Sequence, residues 1–299
     1  MRTIIICGAT ATGKSDLAVA LAKEIGAEIV NADSMQVYEG MDIGTAKLSV
    51  PERGGIPHHL LDVLTVRQDS TVAWYQEAAR AVIDQIHQRG KDAIIVGGTG
   101  LYIKAIVDDL NFPDTDPVIR SRLELEAIEH GAAVLFARLE KLDPAAALAI
   151  DPANTRRIVR ALEVIEITGQ PFTANLPREA SSRYPEAIHF GLSQDRESLD
   201  IRVSNRVDAM WEAGLAAEVE GLVVTGLREG VTAQKALGYA QVLQMMDGLL
   251  TSDEAREETK RVTRQYIRRQ DTWFSRDNRL HWLSHYENRL ERILTRINS

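Results

Sequence analysis

The chain has 299 residues, of which 44% are hydrophobic and 26% charged, so it is long enough for one large domain or two modest ones. Its formal net charge of −8 argues against indiscriminate binding of nucleic acid but is compatible with a local basic surface. No apolar run approaches the ~20 residues of a membrane span, and the single cysteine, Cys7, has no disulfide partner, so we expect a cytoplasmic protein without membrane association.

The first predicted element is a strand over residues 4–7, and a glycine-rich stretch joins it to a helix with apolar residues at 17, 21 and 25. The stretch reads G-x-x-x-x-G-K-S, and this order of strand, loop and helix predicts a phosphate-binding P-loop. Inward-pointing N–H groups and the helix N-terminus favour an anion there. The residues expected to bind phosphate are Gly8, Ala9, Thr10, Ala11, Thr12, Gly13, Lys14 and Ser15. Lys14 is expected on the terminal phosphates and Ser15 on Mg²⁺.

A second short strand is predicted over residues 28–31, and Asp33 follows it. Open α/β sheets bind ligands at this edge, so Asp33 is a candidate base or metal ligand, with a helix cap or a solvated turn as the alternative. Residues 40–47 and 54–59 have the composition of loops. We expect the adjacent histidines 58 and 59 to have a packing role, because neighbouring side chains seldom converge on one metal ion.

An amphipathic helix is predicted over residues 71–88 and a buried strand over residues 93–96. That strand runs into Gly97, Gly98 and Thr99, where a typical P-loop kinase would carry an aspartate for Mg²⁺. The missing carboxylate weakens the phosphoryl-transfer interpretation, although a small-molecule P-loop kinase stays an alternative.

Prolines and polar turn formers predict a domain boundary at residues 111–117, and the pattern beyond it is helical to about residue 169. The clearest helix covers residues 154–168 and carries Arg156, Arg157 and Arg160 opposite its apolar face. Three arginines so close together in an acidic protein fit two alternatives equally well: a contact with a nucleic-acid phosphate backbone, or a helix face that is only solvated. Prolines 171, 177 and 185 predict an irregular return.

A strand over residues 187–192 then rejoins the first domain, and the next predicted helix carries Arg202 and Arg206 one turn apart. Such a pair suits a diphosphate, although a surface role fits the spacing equally. A capping box at residues 251–254 predicts a long helix through residue 270. Basic residues at 260, 264 and 268 form a stripe on it, and its end mixes basic and aromatic side chains as RNA-contacting surfaces do. A solvated face is the alternative.

These elements predict an α/β protein with a P-loop-type, doubly wound parallel sheet and a helical insertion domain. The expected boundaries are 1–112 for the first part of the core, 113–186 for the insertion domain, and 187–299 for the second part of the core with its C-terminal basic helix.

Several stretches together resemble one family, the tRNA dimethylallyltransferases, also called tRNA isopentenyltransferases. They are the P-loop and residues 31–38, 40–47, 56–59, 97–102, 156–163, 237–239, 269–270 and 272–273. The combination is highly specific, above all D-S-M-Q-V-Y followed by G-M-D-I-G-T-A-K. Ala9 departs from the family, which usually has proline there, and leaves the phosphate-binding residues in place. No zinc-finger extension of the eukaryotic kind is present, so the chain resembles the bacterial members.

The resemblance implies transfer of a dimethylallyl group from dimethylallyl diphosphate to N6 of adenosine 37, beside the tRNA anticodon. Asp33 matches the catalytic general base, while Thr99 and Arg120 match positions near the reacting adenine and the diphosphate. Arg206 is a further diphosphate candidate, and the P-loop with Mg²⁺ would hold the leaving group. The adenine must leave its stack to react.

The implied tRNA-binding residues extend beyond Asp33 and Thr99. They are Ser34, Met35, Gln36, Ser121, Arg122, Arg156, Arg157, Arg160, Lys235, Leu237, Gly238 and Tyr239. The insertion domain would contact the anticodon arm, and the resemblance implies a monomer. A P-loop RNA-binding module without catalysis is a competing hypothesis, which Asp33 argues against. A prenyltransferase for free nucleotides is another, which the basic helices argue against.

Overall fold

The structure is a computed structural model in which residues 1–175 and 182–299 are described, so the predicted turn at Pro177 lies outside the described residues. The chain forms two compact units, one of Met1–Val107 with Tyr184–Ser299 and one of Asp108–Arg183. The boundaries expected from the sequence lie a few residues later at both junctions. Within the described ranges, no helix combines the length and the apolar character that crossing a membrane requires.

A six-stranded parallel sheet is the centre of the larger unit. Its strands are β1 (Thr3–Gly8), β2 (Glu28–Asn31), β3 (His58–His59), β4 (Ala93–Gly97), β5 (Ile188–Leu192) and β6 (Leu280–Leu283), in the order β3-β2-β4-β1-β5-β6. The chain leaves β1 toward one side of the sheet and leaves β4 toward the other, which makes the gap between these strands a switch point where such sheets bind ligands. The predicted doubly wound parallel sheet is confirmed. Strand β3 lies in a segment that the sequence predicts to be a loop. Its two residues are too few to show the alternation of apolar and polar side chains by which a strand is recognised.

The helices alternate with these strands and also fill the smaller unit. In the described chain they are α1 (Lys14–Ile25), α2 (Val72–Gln88), α3 (Gly100–Val107), α4 (Pro117–His130), α5 (Ala132–Leu142), α6 (Pro144–Ala149), α7 (Thr155–Thr168), α8 (Arg196–Glu212), α9 (Leu215–Thr225), α10 (Tyr239–Met246), α11 (Ser252–Phe274) and α12 (Arg289–Ile297). The helices predicted at the P-loop, at 71–88, at 154–168 and after the capping box are confirmed as α1, α2, α7 and α11.

Helices cover both faces of the sheet. Because side chains alternate along a strand, Ile5 and Cys7 of β1 pack with α2 and α3, while Ile4 and Ile6 pack with α1 and α12. This explains why residues 4–7 of the strand are all apolar. Burial raises the pKa of the Cys7 thiol to about 12, so Cys7 is a protonated core residue.

The smaller unit is a helical cluster whose core includes Leu123, Leu139 and Leu162. Glu163 is fully buried in it and accepts hydrogen bonds from Arg120 (2.6 Å), Arg160 (2.8 Å) and the N–H of Asp116 (3.0 Å). Although burial opposes ionisation, these bonds hold the pKa of Glu163 below its usual value. A buried carboxylate therefore ties α4 to α7.

At the end of the sheet opposite the P-loop, where the parallel strands begin, Glu28 opens β2 as a nearly buried carboxylate that contacts a histidine and two cationic side chains. His59 Nε2, Arg89 Nη2 and Lys91 Nζ lie 2.7, 2.6 and 3.1 Å from its oxygens. Burial raises the pKa of Glu28, but the hydrogen bonds from Arg89, His59 and Lys91 outweigh it and lower that pKa to about 2. Because the native pKa lies below the unfolded value of ~4.3, this group stabilises the fold above ~pH 4.3, and its contribution is lost as the pH falls toward about 2.

We therefore expect Glu28→Gln to lower the free energy of unfolding at about pH 7 by about 2 kcal/mol. The difference from wild type should shrink between about pH 4 and pH 2.5, because the wild-type carboxylate then loses its advantage. Chemical denaturation across this pH range measures both effects, with Glu24→Gln on the exposed end of α1 as the matched control. A difference that does not change with pH would contradict the electrostatic origin.

Candidate active site

A cavity of about 600 Å³ opens at the carboxyl ends of β1, β2 and β4. Its lining comes from the P-loop, the segment after β2, residues 45–48, the end of β4 and helix α8. Lys14, Ser15, Asp33, Gln36 and Arg206 all line it, so the structure brings together these residues that the sequence predicts for one site. The position is the switch point of the sheet.

The P-loop curls through left-handed backbone conformations, with φ of 85° at Gly13 and 67° at Ala11. The Lys14 ammonium and the Thr12 hydroxyl both donate to the Ala9 carbonyl, at 2.6 and 2.8 Å. For the backbone N–H groups of residues 11–15, no hydrogen-bond acceptor is present within the described chain. Such a run of free N–H groups at the start of α1 is an anion-binding nest.

Positive charge is concentrated in this cavity. Burial, together with the charge of Arg206, lowers the pKa of Lys14 to about 8, and the carboxylate of Asp33 opposes the shift. Burial also lowers the pKa of Arg206, with a smaller effect of Arg202, which lies one turn away on α8 and lines the same cavity. Crowded, partly desolvated cations indicate a site made for an anion, since an anion relieves their repulsion.

Asp33 is fixed by the residues around the end of β2. The Asn31 side chain accepts the Asp33 N–H at 3.0 Å and donates to the carbonyls of Asp33 and Leu60. One Asp33 carboxylate oxygen accepts the N–H of Met35 at 2.8 Å, which makes a local turn rather than a helix cap. The same carboxylate lines the cavity, so its contact in the turn does not keep it from a ligand there.

Thr99 lies beside Asp33 because the ends of β2 and β4 touch. Its hydroxyl accepts the Ser34 N–H at 3.2 Å, and its N–H donates to the Ala32 carbonyl at 3.3 Å. A Cβ at Gly97 would lie 2.1 Å from that carbonyl oxygen, so only glycine fits there. The carboxylate of a kinase has no room at this position, which explains the unusual strand end.

A second cavity of about 240 Å³ adjoins the first and shares Thr10, Asp33, Thr45 and Arg206 with it. Its other lining is largely apolar or aromatic, although it also contains the cationic Lys235 and Arg269. The apolar and aromatic residues include Met35, Val203, Val207, Met210, Leu237 and Tyr266. Burial and then the nearby Asp33 carboxylate raise the pKa of Tyr266 to about 12, so its phenol stays protonated. The two cavities together suit a ligand with a phosphate end and a short apolar end, and Asp33 lies where they meet.

Two residues of the larger unit that the sequence places on a binding surface are buried. Tyr239 is fully buried, and its hydroxyl donates to Glu218, which also accepts the N–H of Ile43 at 2.8 Å; Tyr239 therefore packs the 40–44 segment, and its predicted contact with tRNA stays a prediction. The adjacent Gly238 is buried as well. Lys260 is 9% exposed and pairs with Asp208 and Glu257 at 2.7 and 2.8 Å, so the basic stripe of α11 is interrupted there.

Arg261 of α11 is exposed but pairs with Glu258, whereas Arg268 and Arg269 are exposed at the C-terminal end of the helix and are followed by Trp273, 41% exposed. Sequence reasoning did not single out Tyr266 as a site residue, nor the pairing of Gln270 with the P-loop. Tyr266 carries no motif of its own, and the partners of Gln270 are far away in sequence.

The remaining predicted residues belong to the smaller unit. Arg120 and Arg160 hold Glu163, and Arg160 also donates to the carbonyls of Pro113 and Asp114. Arg160 therefore does not share one free face with Arg156 and Arg157, which are exposed and have no ion-pair partner in the described chain. Arg122 pairs with Glu166, and Ser121 is exposed. Their predicted roles toward tRNA and diphosphate stay predictions.

The chain is similar in sequence and in structure to proteins of one family. The sequence model of a family described as IPP transferase matches residues 36–277. The chain is 58% identical to a tRNA dimethylallyltransferase from Thermobifida fusca, over 95% of this chain and 90% of the relative. It is similar to the crystal structure of a full-length tRNA isopentenylpyrophosphate transferase from Bacillus halodurans, with 37% identity, a TM-score of 0.73 and coverage of 99% and 95%. A eukaryotic dimethylallyltransferase acting on tRNA is similar at 26% identity, with a TM-score of 0.85 and coverage of 100% and 79%. As its motifs predicted, the chain belongs to the IPP transferase family.

Proposed function

We propose that this protein transfers the dimethylallyl group of dimethylallyl diphosphate to N6 of adenosine 37 in tRNA and releases diphosphate. The observation that carries the proposal is the pair of joined cavities, one cationic and one apolar, that meet at Asp33. The tRNA dimethylallyltransferase from Thermobifida fusca and the eukaryotic enzyme acting on tRNA support the choice of donor and acceptor.

In this reaction the bond between the first carbon of the donor and its diphosphate oxygen breaks, and a bond from that carbon to N6 forms. The bonding electrons leave with the diphosphate, whose growing charge faces Lys14, Arg206 and the free N–H groups of residues 11–15. The five-carbon group fits the small apolar cavity beside Val207, Met210 and Leu237. No carboxylate occupies the end of β4 in the described chain, so the kinase alternative lacks its metal ligand.

The exocyclic amine of adenine is a weak nucleophile and must lose a proton as the new bond forms. Asp33 is the carboxylate at the junction of the two cavities, and we assign it as the general base that accepts this proton. Thr99 and Ser34 contact each other beside Asp33, and they would orient the adenine of the tRNA. The predicted role of Arg120 in catalysis stays a prediction.

Mg²⁺ fits the donors that the cavity offers. In the described ranges no three His, Cys, Asp or Glu side chains converge on one point, so an all-protein metal cage is not present. The Ser15 hydroxyl lines the cavity at the start of α1. Mg²⁺ usually takes one or two protein ligands and completes its shell with phosphate oxygens and water. We propose Ser15 as that ligand; the ion, when bound, would neutralise part of the diphosphate charge.

The protein is proposed to act as a cytoplasmic monomer. The monomeric state is the one that the resemblance to the tRNA dimethylallyltransferases implies. The buried, protonated Cys7 also fits a reducing compartment. Light scattering of the purified protein should give the mass of one chain.

The test uses dimethylallyl diphosphate labelled in its carbon chain, Mg²⁺ and an unmodified tRNA with adenosines at positions 36 to 38. Label should appear in the tRNA and be located at adenosine 37 by nuclease digestion. A transcript with guanosine at position 37 is the matched acceptor control, and excess chelator should stop the reaction. Label in AMP or ATP, or in neither nucleotide nor tRNA, would overturn the proposal.

The exposed face of α7 gives a prediction for tRNA binding. Arg156→Glu combined with Arg157→Glu should weaken tRNA binding. The slope of log K against log salt concentration should also become less negative by about one to two, because two phosphate contacts are lost. Fluorescence anisotropy with an anticodon stem-loop at several salt concentrations measures this slope. Lys141→Glu, an exposed cation of α5 in the same unit, is the control. An unchanged slope would mean that these arginines form only a solvated face.

A further inference from the structure

Gln270 is a buried amide whose two ends connect the P-loop to the end of β4. It is 5% exposed on α11. Its Oε1 accepts the backbone N–H of Thr10 at 2.9 Å, and its Nε2 donates to the carbonyl of Gly98, also at 2.9 Å. Because one partner can only donate and the other can only accept, the orientation of the amide is determined.

The fit around this amide is tight. A Cβ at Gly98 would lie 2.3 Å from Nε2 of Gln270, so a larger residue at that position would push the amide away. Gly98 precedes Thr99, which contacts Ser34 next to Asp33. One side chain thus connects the loop that faces the leaving diphosphate with the segment that faces the acceptor.

The bond to Thr10 also divides the P-loop. The Thr10 N–H is occupied by Gln270, whereas the N–H groups of residues 11–15 have no acceptor within the described chain. Gln270 therefore fixes where the anion-binding curl begins without itself lining either cavity.

Helix α11 is in turn held to α8, which carries Arg206. Lys260 pairs with Asp208 at 2.7 Å, and the Arg264 guanidinium donates to the Ser204 hydroxyl at 2.7 Å. Gln270 therefore lies on a helix that is bonded to the helix carrying Arg206. Its own hydrogen bonds to Thr10 and Gly98 connect this helix pair to the P-loop and to the segment at the end of β4.

We propose that Gln270 is a positioning residue for the transfer: it sets the distance between the P-loop and the Thr99 segment through the backbone of Thr10 and Gly98. This inference rests on the proposed function. Misplacement of reacting groups by about 1 Å costs about 10²-fold in rate, so loss of the bridge should reduce kcat by about 10- to 100-fold, with a smaller change in KM for tRNA.

The test compares Gln270→Glu with Gln270→Met over a range of pH, with each rate divided by the wild-type rate at the same pH. An ionised glutamate can accept the Thr10 N–H but repels the Gly98 carbonyl, whereas its protonated form can make both bonds. The Gln270→Glu ratio should therefore rise as the pH falls, and the Gln270→Met ratio should stay low throughout. A structural defect alone would not give this pH-dependent rescue.

Binding of inorganic pyrophosphate, measured by calorimetry, provides a readout that needs no turnover. The variants should follow the same pattern as in the kinetics, so the proposal can be judged even if the wild-type protein fails to modify tRNA. Should Gln270→Met fail to fold, Gln270→Asn replaces it, since its amide is one methylene too short to reach both partners. Wild-type kcat and pyrophosphate affinity in Gln270→Met, or a Gln270→Glu ratio that does not change with pH, would overturn the proposal.

Discussion

Replacement of Asp33 by asparagine is expected to reduce kcat for tRNA prenylation by about 10²- to 10⁴-fold, the usual range for loss of a general base. The asparagine side chain has the same shape, and its oxygen can still accept the Met35 N–H that fixes the turn after β2. What it loses is the ability to take the proton from N6. Because the ground-state contacts are kept, tRNA affinity should change by less than about twofold.

Single-turnover transfer with saturating donor measures the chemical step, and anisotropy with an anticodon stem-loop measures affinity. Asp69→Asn, an exposed carboxylate of the same unit, is the matched control and should leave both unchanged. Equal losses in turnover and in tRNA affinity would make Asp33 a binding residue instead. A variant with full activity would remove Asp33 from the chemistry.

The centre of the site was predictable because its signals are local. The P-loop is a contiguous motif between a strand that is apolar at residues 4–7 and a helix, and Asp33 lies two residues after a second buried strand. Both strands are buried on two faces, so they appear in the sequence as short, mainly apolar runs. Once their parallel order is assumed, the carboxyl ends of β1, β2 and β4 must meet at one edge.

The surroundings of the site were not predictable in the same way, because they depend on contacts between distant segments. Thr10 and Gln270 are in contact, and so are Thr12 and Arg289, although each pair spans most of the chain. A stripe of similar residues along a helix shows that the helix has a distinct face, but it does not show which part of the chain packs on that face. Lys260 lies on such a stripe, and only the approach of Asp208 from α8 shows that it is paired and buried.

Tyr239 illustrates the same limit for a motif. Its place in a Leu-Gly-Tyr sequence matches the family, yet a matching motif does not distinguish a contact with a ligand from a packing position. Here Glu218 reaches from α9 to accept both the Tyr239 hydroxyl and the Ile43 N–H, so the residue supports the segment beside the cavity.

The pH dependence of donor use gives the second large expected effect. Burial and the charge of Arg206 lower the pKa of Lys14 to about 8. The protonated form is the one that attracts diphosphate, so kcat/KM for dimethylallyl diphosphate should be greatest below about pH 8 and fall about tenfold per pH unit above it. Bound diphosphate favours the charged form, so kcat with saturating donor should persist to higher pH.

Two variants identify the group responsible for this decline. Lys14→Met should reduce kcat/KM by about 10²- to 10³-fold at about pH 7, as expected for a lost contact to a developing anion, and should abolish the decline above about pH 8. Arg206→Gln should weaken donor binding but move the decline to higher pH, because the charge that lowers the Lys14 pKa is removed. If kcat/KM of Lys14→Met still fell at the same pH as in wild type, another group would be the one that titrates. Lys14 would then not be the cation whose charge attracts the diphosphate.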